Sequence, residues 1–144
     1  MMAHPLAGPV ALLLAWSVLM MIWMYATRIP AMRQAGIDLK NRVGGGGRDL
    51  DAVLPPDVQW KSHNYNHLME QPTLFYATCL LLIITGHESL WVTNMAWGYV
   101  GLRIAHSIVQ STSNRVRYRF LMFALASICL IGLVGYTVGV VLGG

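Results

Sequence analysis

The chain has 144 residues, of which 56% are hydrophobic and 11% are charged, whereas a soluble globular chain carries about 25% charged residues. These proportions exclude a soluble enzyme, a nucleic-acid-binding domain and a disordered tail. The formal net charge of +4 is attributed to membrane topology rather than to nucleic acid, because basic residues gather on one side of a membrane protein.

Four segments are predicted to cross a membrane as helices, at residues 6–27, 66–85, 90–109 and 120–142. The first and last are long apolar runs, and a bilayer core requires about 20 apolar helical residues. The middle two are shorter and carry polar residues at one end. The sequence therefore predicts an all-α, integral membrane four-helix bundle, with residues 1–144 forming a single domain.

The basic residues lie mainly in two connections, 28–65 and the turn before the last helix. The first holds Arg28, Arg33, Lys40, Arg42, Arg48 and Lys61, and the second holds Arg115, Arg117 and Arg119. The positive-inside rule places both connections in the cytosol and both termini on the other side. No retrieval signal ends the chain, so a bacterial inner membrane is favoured over the endoplasmic reticulum.

The first connection contains four consecutive glycines, 44–47, followed by the pair Pro55-Pro56. Four glycines cannot support the interior of a helix or strand, so this stretch is interpreted as a flexible hinge. A long loop in a small protein is often a lid. A slack linker is the alternative.

Ionisable residues at membrane depth indicate function by default, because burying them in lipid is costly. On the second helix the spacing predicts one polar side, formed by His63, Asn66, His67 and Glu70. On the third helix the stripe is Arg103, His106 and Gln110. Glu70 and Arg103 are the predicted ion pair. The cluster is interpreted as an anion-binding or polar-ligand site opening to the cytosol, and a purely structural clamp between helices is the alternative.

Two cysteines, Cys79 and Cys129, both lie inside apolar runs. This placement predicts neither a disulfide framework nor a metal site. We expect both to behave as small apolar residues.

The run from Asn66 to Phe75, NHLMEQPTLF, resembles the signature of the MAPEG family, the membrane-associated proteins in eicosanoid and glutathione metabolism. The pattern Arg103-x-x-His106 and the arginine-rich turn ending at Arg119 are also similar to that family. The resemblance covers nearly the whole chain. It implies a homotrimer of four-helix bundles with glutathione as cosubstrate in a cleft between subunits, near the cytosolic face.

The resemblance also implies roles for individual residues. Glu70 would hold the amino end of glutathione, and Asn66 or His67 its backbone. Arg103 and His106 would order the cleft. Arg119 would be the catalytic residue, because a fixed cation favours the thiolate. The implied partners are membrane lipids, further copies of the chain and a lipophilic substrate for glutathione transfer or peroxide reduction.

Two positions depart from the pattern of the active synthases. His63 stands where they carry an arginine that helps to hold the glutathione carboxylate. Gln110 stands where they carry a tyrosine that can hydrogen-bond the thiol. The alternative is therefore a non-enzymatic membrane protein that binds lipids or fatty acids on the same scaffold. A small transporter is a third class, disfavoured because the polar residues stop in the cytosolic half.

Overall fold

The architecture is all-α, as the sequence predicts. The structure, a computed structural model, describes residues 4–143. Within that range 78% of the chain is helical and no strand occurs. The elements are α1 (Ala7–Gln34), a short 3-10 helix (Gly47–Leu50), α2 (Pro56–Leu68), α3 (Pro72–Thr85), α4 (Leu90–Thr112) and α5 (Val116–Leu142).

Three helical units in the described residues are long and apolar enough to cross a membrane. They are α1, the stretch Pro56–Thr85 that α2 and α3 form together, and α5. The predicted span at 90–109 falls on α4, which is not among them. Its polar residues Arg103, His106 and Gln110 are buried against the other helices, and a helix enclosed by protein does not need a lipid-compatible surface on every side.

The helices extend beyond the predicted spans at the basic end of the bundle. α1 continues through Pro30 to Gln34, and α2 begins at Pro56 rather than near Asn66. The physical reason is that an apolar run marks only the part of a helix that contacts lipid, and polar residues can continue the same helix into the headgroup region.

Residues 69–71 interrupt the second helical unit, and Pro72 explains the break. Proline has no backbone N–H, and its ring clashes with the carbonyl one turn earlier, so a helix tends to end before it. α2 ends at Leu68, and Pro72 occupies the first turn of α3, where the missing N–H is tolerated. Within the break, the His67 carbonyl accepts from the Glu70 N–H at 3.4 Å, three residues later, and not from the Gln71 N–H four residues later.

Side-chain contacts and the positions of the connections define two ends of the bundle. At one end, His4 Nε2 lies 3.1 Å from a Glu88 carboxylate oxygen, and the rings of Trp91 and Tyr136 are 5.9 Å apart. At the other end lie the connection between α1 and α2 and the turn between α4 and α5. Both ends of the described chain therefore lie opposite the basic residues.

The long connection is folded against α1. Leu50, Leu54 and Val58 form a small buried cluster, and Met32 and Ile37 pack on it. This part of the connection is packed rather than slack, so the slack-linker interpretation is wrong for it.

Candidate functional site

Arg103 is the centre of the polar cluster, and its side chain is completely buried. Its Nη2 donates to the carbonyl oxygen of His67 at 2.9 Å, and its Nη1 lies 3.3 Å from the Nε2 of the same residue. The guanidinium carbon lies 5.8 Å from the centre of the Phe123 ring, in a cation–π contact. The same carbonyl oxygen also accepts from the Glu70 N–H at 3.4 Å, whereas in an uninterrupted helix it would pair with the N–H of Gln71.

His67 lies between Arg103 and Glu70. Arginine can only donate hydrogen bonds, so His67 Nε2 must accept and its Nδ1 must carry the proton. That Nδ1 lies 3.0 Å from a Glu70 carboxylate oxygen. The Glu70 side chain is 66% exposed, and no ion pair joins it to Arg103 among residues 4–143. The predicted direct pairing is therefore wrong: the helix break turns Glu70 outward, and His67 connects the two charges.

His106 connects α4 to the first turns of α5. Its Nδ1 lies 2.9 Å from the carbonyl oxygen of Arg119, so this nitrogen carries a proton and donates. Its Nε2 lies 3.0 Å from the side-chain amide of buried Gln110, and an imidazole with its proton on Nδ1 accepts there from the amide NH2. The rings of His106 and His67 are 5.0 Å apart. The two histidines thus form one polar layer beside Arg103.

A pocket of about 200 Å³ opens next to this layer. It is lined by His67, His106, Val116, Arg119, Phe120 and Phe123. Arg119 is half-buried, and its Nη1 donates to Asn114 Oδ1 at 2.5 Å. Arg115 and Arg117 are exposed and do not line the pocket. Of the three arginines in the turn, Arg119 is the one that faces the pocket.

His63 and Asn66 lie elsewhere. His63 is exposed, and its Nε2 lies 3.0 Å from a carboxylate oxygen of Asp51 in the connection. Asn66 lines a different pocket, between α1 and the connection. The spacing predicts one polar side for the four residues of α2 and its end, but the structure brings only His67 of these to the pocket beside Arg119.

Two hydrogen-bond networks between helices were not predicted from the sequence. Ser107 Oγ accepts from Trp16 Nε1 at 2.9 Å and from Asn64 Nδ2 at 2.7 Å, which joins three helices. A serine and an asparagine within otherwise apolar helix faces were the available signal.

The second network lies at the helix break. Gln71 Oε1 accepts from the Tyr99 hydroxyl at 3.3 Å, and Gln71 Nε2 donates to Ser127 Oγ at 2.8 Å. The amide thereby holds the start of α3 against both α4 and α5.

Cys79 is buried, Cys129 is half-buried, and both are free thiols. In the part of the chain that the structure describes, no three histidine, cysteine or acidic residues are grouped as a metal ion would require. The pocket beside Arg119 is lined by the side chains of two histidines, one arginine and two phenylalanines, together with Val116.

Comparison with known proteins gives one match. A family model described as the MAPEG family matches residues 6–139 of the 144-residue chain. No curated protein and no solved structure matches it. The match includes every element of the candidate site.

Proposed function

The chain belongs to the MAPEG family, and from this premise we propose that it binds glutathione or a related anionic thiol at the basic end of the bundle. Three apolar helical units support membership of a membrane-protein family. Transfer of glutathione to lipophilic electrophiles, or reduction of lipophilic peroxides, is the proposed reaction class. The lipophilic partner would enter from the bilayer.

The observation that carries the proposal is the pocket shared by Arg119, His106 and His67. A free thiol has a pKa of about 8.5, and an adjacent fixed cation lowers it. Arg119 is held by Asn114 at the pocket wall, so its charge is pre-positioned for a thiolate. The aromatic rings of Phe120 and Phe123 limit water on the same wall, which strengthens the electrostatic attraction.

Glu70 is the proposed partner for the ammonium group of the ligand. Its carboxylate is exposed, and one oxygen is already oriented by His67. Through His67 the carboxylate is tied to buried Arg103, so ligand contact at Glu70 would be transmitted to the polar layer. A carboxylate and an ammonium form a charge-assisted hydrogen bond.

The pocket supports a site that a neighbouring subunit completes. Ligand pockets usually measure about 300–1,000 Å³, and this one measures about 200 Å³. A Cβ placed on Gly135 or Gly139 would meet nothing within 4 Å, so these glycines leave an open stripe on α5 rather than packing within one chain. Small residues of this kind allow close approach of helices. We propose a homotrimer, and native mass spectrometry in several mild detergents tests it: monomers alone in all of them would exclude the trimer.

We also propose that the basic end faces the cytosol of a bacterium, with both termini on the opposite side of the inner membrane. The positive-inside rule supports this orientation. Reporter fusions at Gly46 and at Gly144, which lies outside the described residues, should give signals from opposite sides. Signals from one side would overturn the orientation.

A non-enzymatic binder of lipids or fatty acids is the second candidate, and Gln110 favours it. The Gln110 side chain is buried and engaged with His106, so no tyrosine-like hydroxyl reaches the pocket from that position. A binder would retain the scaffold without activating a thiol.

Thermal unfolding of the detergent-purified protein separates the two candidates. A ligand that binds only the folded state raises its stability by mass action, by about 2.7 kcal/mol at a hundredfold excess over Kd. Millimolar glutathione should raise the midpoint temperature, and Glu70→Gln should reduce that rise. A midpoint that responds to a fatty acid and not to glutathione would replace the proposal with the lipid-binding function.

A further inference from the structure

A second binding region lies where the long connection folds against the basic end of α1. Two adjoining cavities, of about 410 and about 670 Å³, share Tyr25, Arg28, Gly46 and Gly47 in their walls. We call the two cavities together the connection pocket. It does not include the residues around Arg119, so it is separate from the proposed glutathione site.

Positive charge is in excess in the connection pocket. Arg28 lines both cavities, Arg42 lines the first, and Arg48 lines the second. The carboxylate that lines it is Asp49, which lies 3.6 Å from Arg42. Three arginines facing one carboxylate favour an anionic ligand.

Arg28 is oriented by the protein but keeps hydrogen-bonding capacity. It donates to Ser62 Oγ, and its Nη2 donates to the carbonyl oxygen of Gly47 at 2.6 Å. Within residues 4–143 no carboxylate lies within 4.0 Å of it. A guanidinium carries five N–H donors, and bidentate recognition of phosphate is the interaction for which this group is best suited.

The glycines give this pocket its shape. A Cβ on Gly47 would lie 3.2 Å from Arg28 Nη2, so glycine allows the connection to approach the guanidinium. Gly45 has a φ of +86°, which L-residues rarely adopt, and a Cβ there would lie 2.7 Å from Asp49 Oδ2. The glycine run, predicted as a hinge, thus wraps the connection around Arg28.

The connection pocket continues into an apolar groove along α1. A further cavity of about 430 Å³ is lined by Ile22, Tyr25, Ala26, Ile29 and Pro30. Tyr25 and Ile29 belong both to this groove and to the first cavity of the connection pocket. Because α1 is a membrane-capable helix, the groove runs toward the bilayer from the arginines at its end.

We propose that the connection pocket binds the headgroup phosphate of an anionic phospholipid, whose acyl chain lies in the α1 groove. The arginines supply the phosphate contacts, and the groove supplies the surface for the chain. A free phosphate would use the arginines alone, whereas a lipid uses both parts. Basic pockets beside membrane helices are suited to such headgroups. The inference does not rest on glutathione binding.

Native mass spectrometry of the full-length protein, titrated in detergent with a phosphatidylglycerol, tests the proposal. Phosphatidylcholine with the same acyl chains is the lipid control, and glycerol phosphate is the chain-free control. We expect retention of phosphatidylglycerol at least fivefold tighter than of phosphatidylcholine, with no measurable retention of glycerol phosphate. Equal retention of the two lipids, or retention of glycerol phosphate equal to that of the lipid, would overturn the proposal.

Variants locate the site. Arg28→Gln should weaken phosphatidylglycerol binding about fivefold, which corresponds to about 1 kcal/mol per basic residue near an anionic lipid surface. Arg33→Gln removes the same charge from an exposed position of α1 outside the pocket, and should change binding less than twofold. If both variants weaken binding equally, the attraction comes from general surface charge, and the proposed site is wrong.

Because Arg28 also holds the connection in place, a second variant adds charge without removing a contact. Gly46 has an extended φ of −135°, and a Cβ there would meet nothing within 4 Å. Gly46→Asp should weaken binding by at least fivefold, whereas Gly46→Asn, of equal size and no charge, should not. Ile29→Ser should weaken lipid binding through the groove. Unchanged lipid binding in Gly46→Asp would overturn the proposal even if Arg28→Gln does not fold.

Discussion

Replacing His67 by leucine should destabilise the protein far more than replacing Glu70 by glutamine. Leucine removes the ring nitrogen that accepts from Arg103 and also the link to Glu70. Arg103 then keeps the His67 carbonyl as its remaining partner among the hydrogen bonds of the described residues. Since the guanidinium is completely buried, water does not replace the lost acceptor.

The magnitude follows from the two environments. A hydrogen bond to a charged group contributes about 1.5–3 kcal/mol, so His67→Leu should lower the free energy of unfolding by about 2 kcal/mol. Glu70 is mostly exposed, and an amide oxygen at that position can still accept from His67. Glu70→Gln should therefore change stability by less than about 0.5 kcal/mol.

Double-mutant cycles with Arg103→Met provide the assay, using helix loss in mixed detergent–dodecyl sulfate micelles at fixed protein concentration. His67 and Arg103 should be coupled by about 2 kcal/mol, and Glu70 and Arg103 by less than about 0.5 kcal/mol. His63→Leu, at an exposed histidine one turn away, is the matched control and should change stability little. A Glu70–Arg103 coupling as large as that of His67 would refute the reasoning, because it would require direct contact between carboxylate and guanidinium.

Three further outcomes are expected. Ser107→Ala should lower the free energy of unfolding by about 2 kcal/mol because it removes the acceptor of the half-buried Trp16 N–H and of the buried Asn64 amide. Ser111→Ala should be near neutral, since that hydroxyl is buried without a partner in the described structure; equal losses would contradict the network. Gln71→Leu should lower the free energy of unfolding by about 1–2 kcal/mol in the same assay. An unchanged midpoint would show that the amide does not hold these helices together. Arg119→Leu should abolish the ultraviolet thiolate absorbance that appears on adding glutathione, and Arg117→Leu should preserve it. If the unmodified protein shows no such absorbance, the proposed activation of the thiol is wrong and the protein is a binder only.

The class and the family of the fold could be predicted from the sequence because they depend on composition and on short motifs. Apolar runs indicated which segments cross the membrane, and three of the four predicted spans correspond to membrane-capable helical units. Apolarity did not indicate where the second helical unit begins, so α2 begins further toward the basic end than predicted. The sequence also predicted a membrane span on α4, which is less apolar than the other helical units because its polar side is buried against protein.

The site could be predicted only in part because side-chain direction depends on the break in the second helical unit. The spacing rule for one helical face assumes an uninterrupted helix, and Glu70 lies within the break. Pro72 was the visible signal for that break. The pairing of Asn64 with Ser107, 43 residues apart in the chain, is a tertiary contact that no local spacing encodes.

Pro72 has a consequence for how the family can vary. The helix is interrupted before the proline, the His67 carbonyl therefore does not pair with the Gln71 N–H, and that carbonyl accepts from the buried guanidinium of Arg103. A lineage that lost the proline would regain the regular helix, in which the Gln71 N–H competes with Arg103 for that carbonyl oxygen. We therefore expect substitutions of Pro72 to be accompanied by substitutions of Arg103, although the two residues lie on different helices.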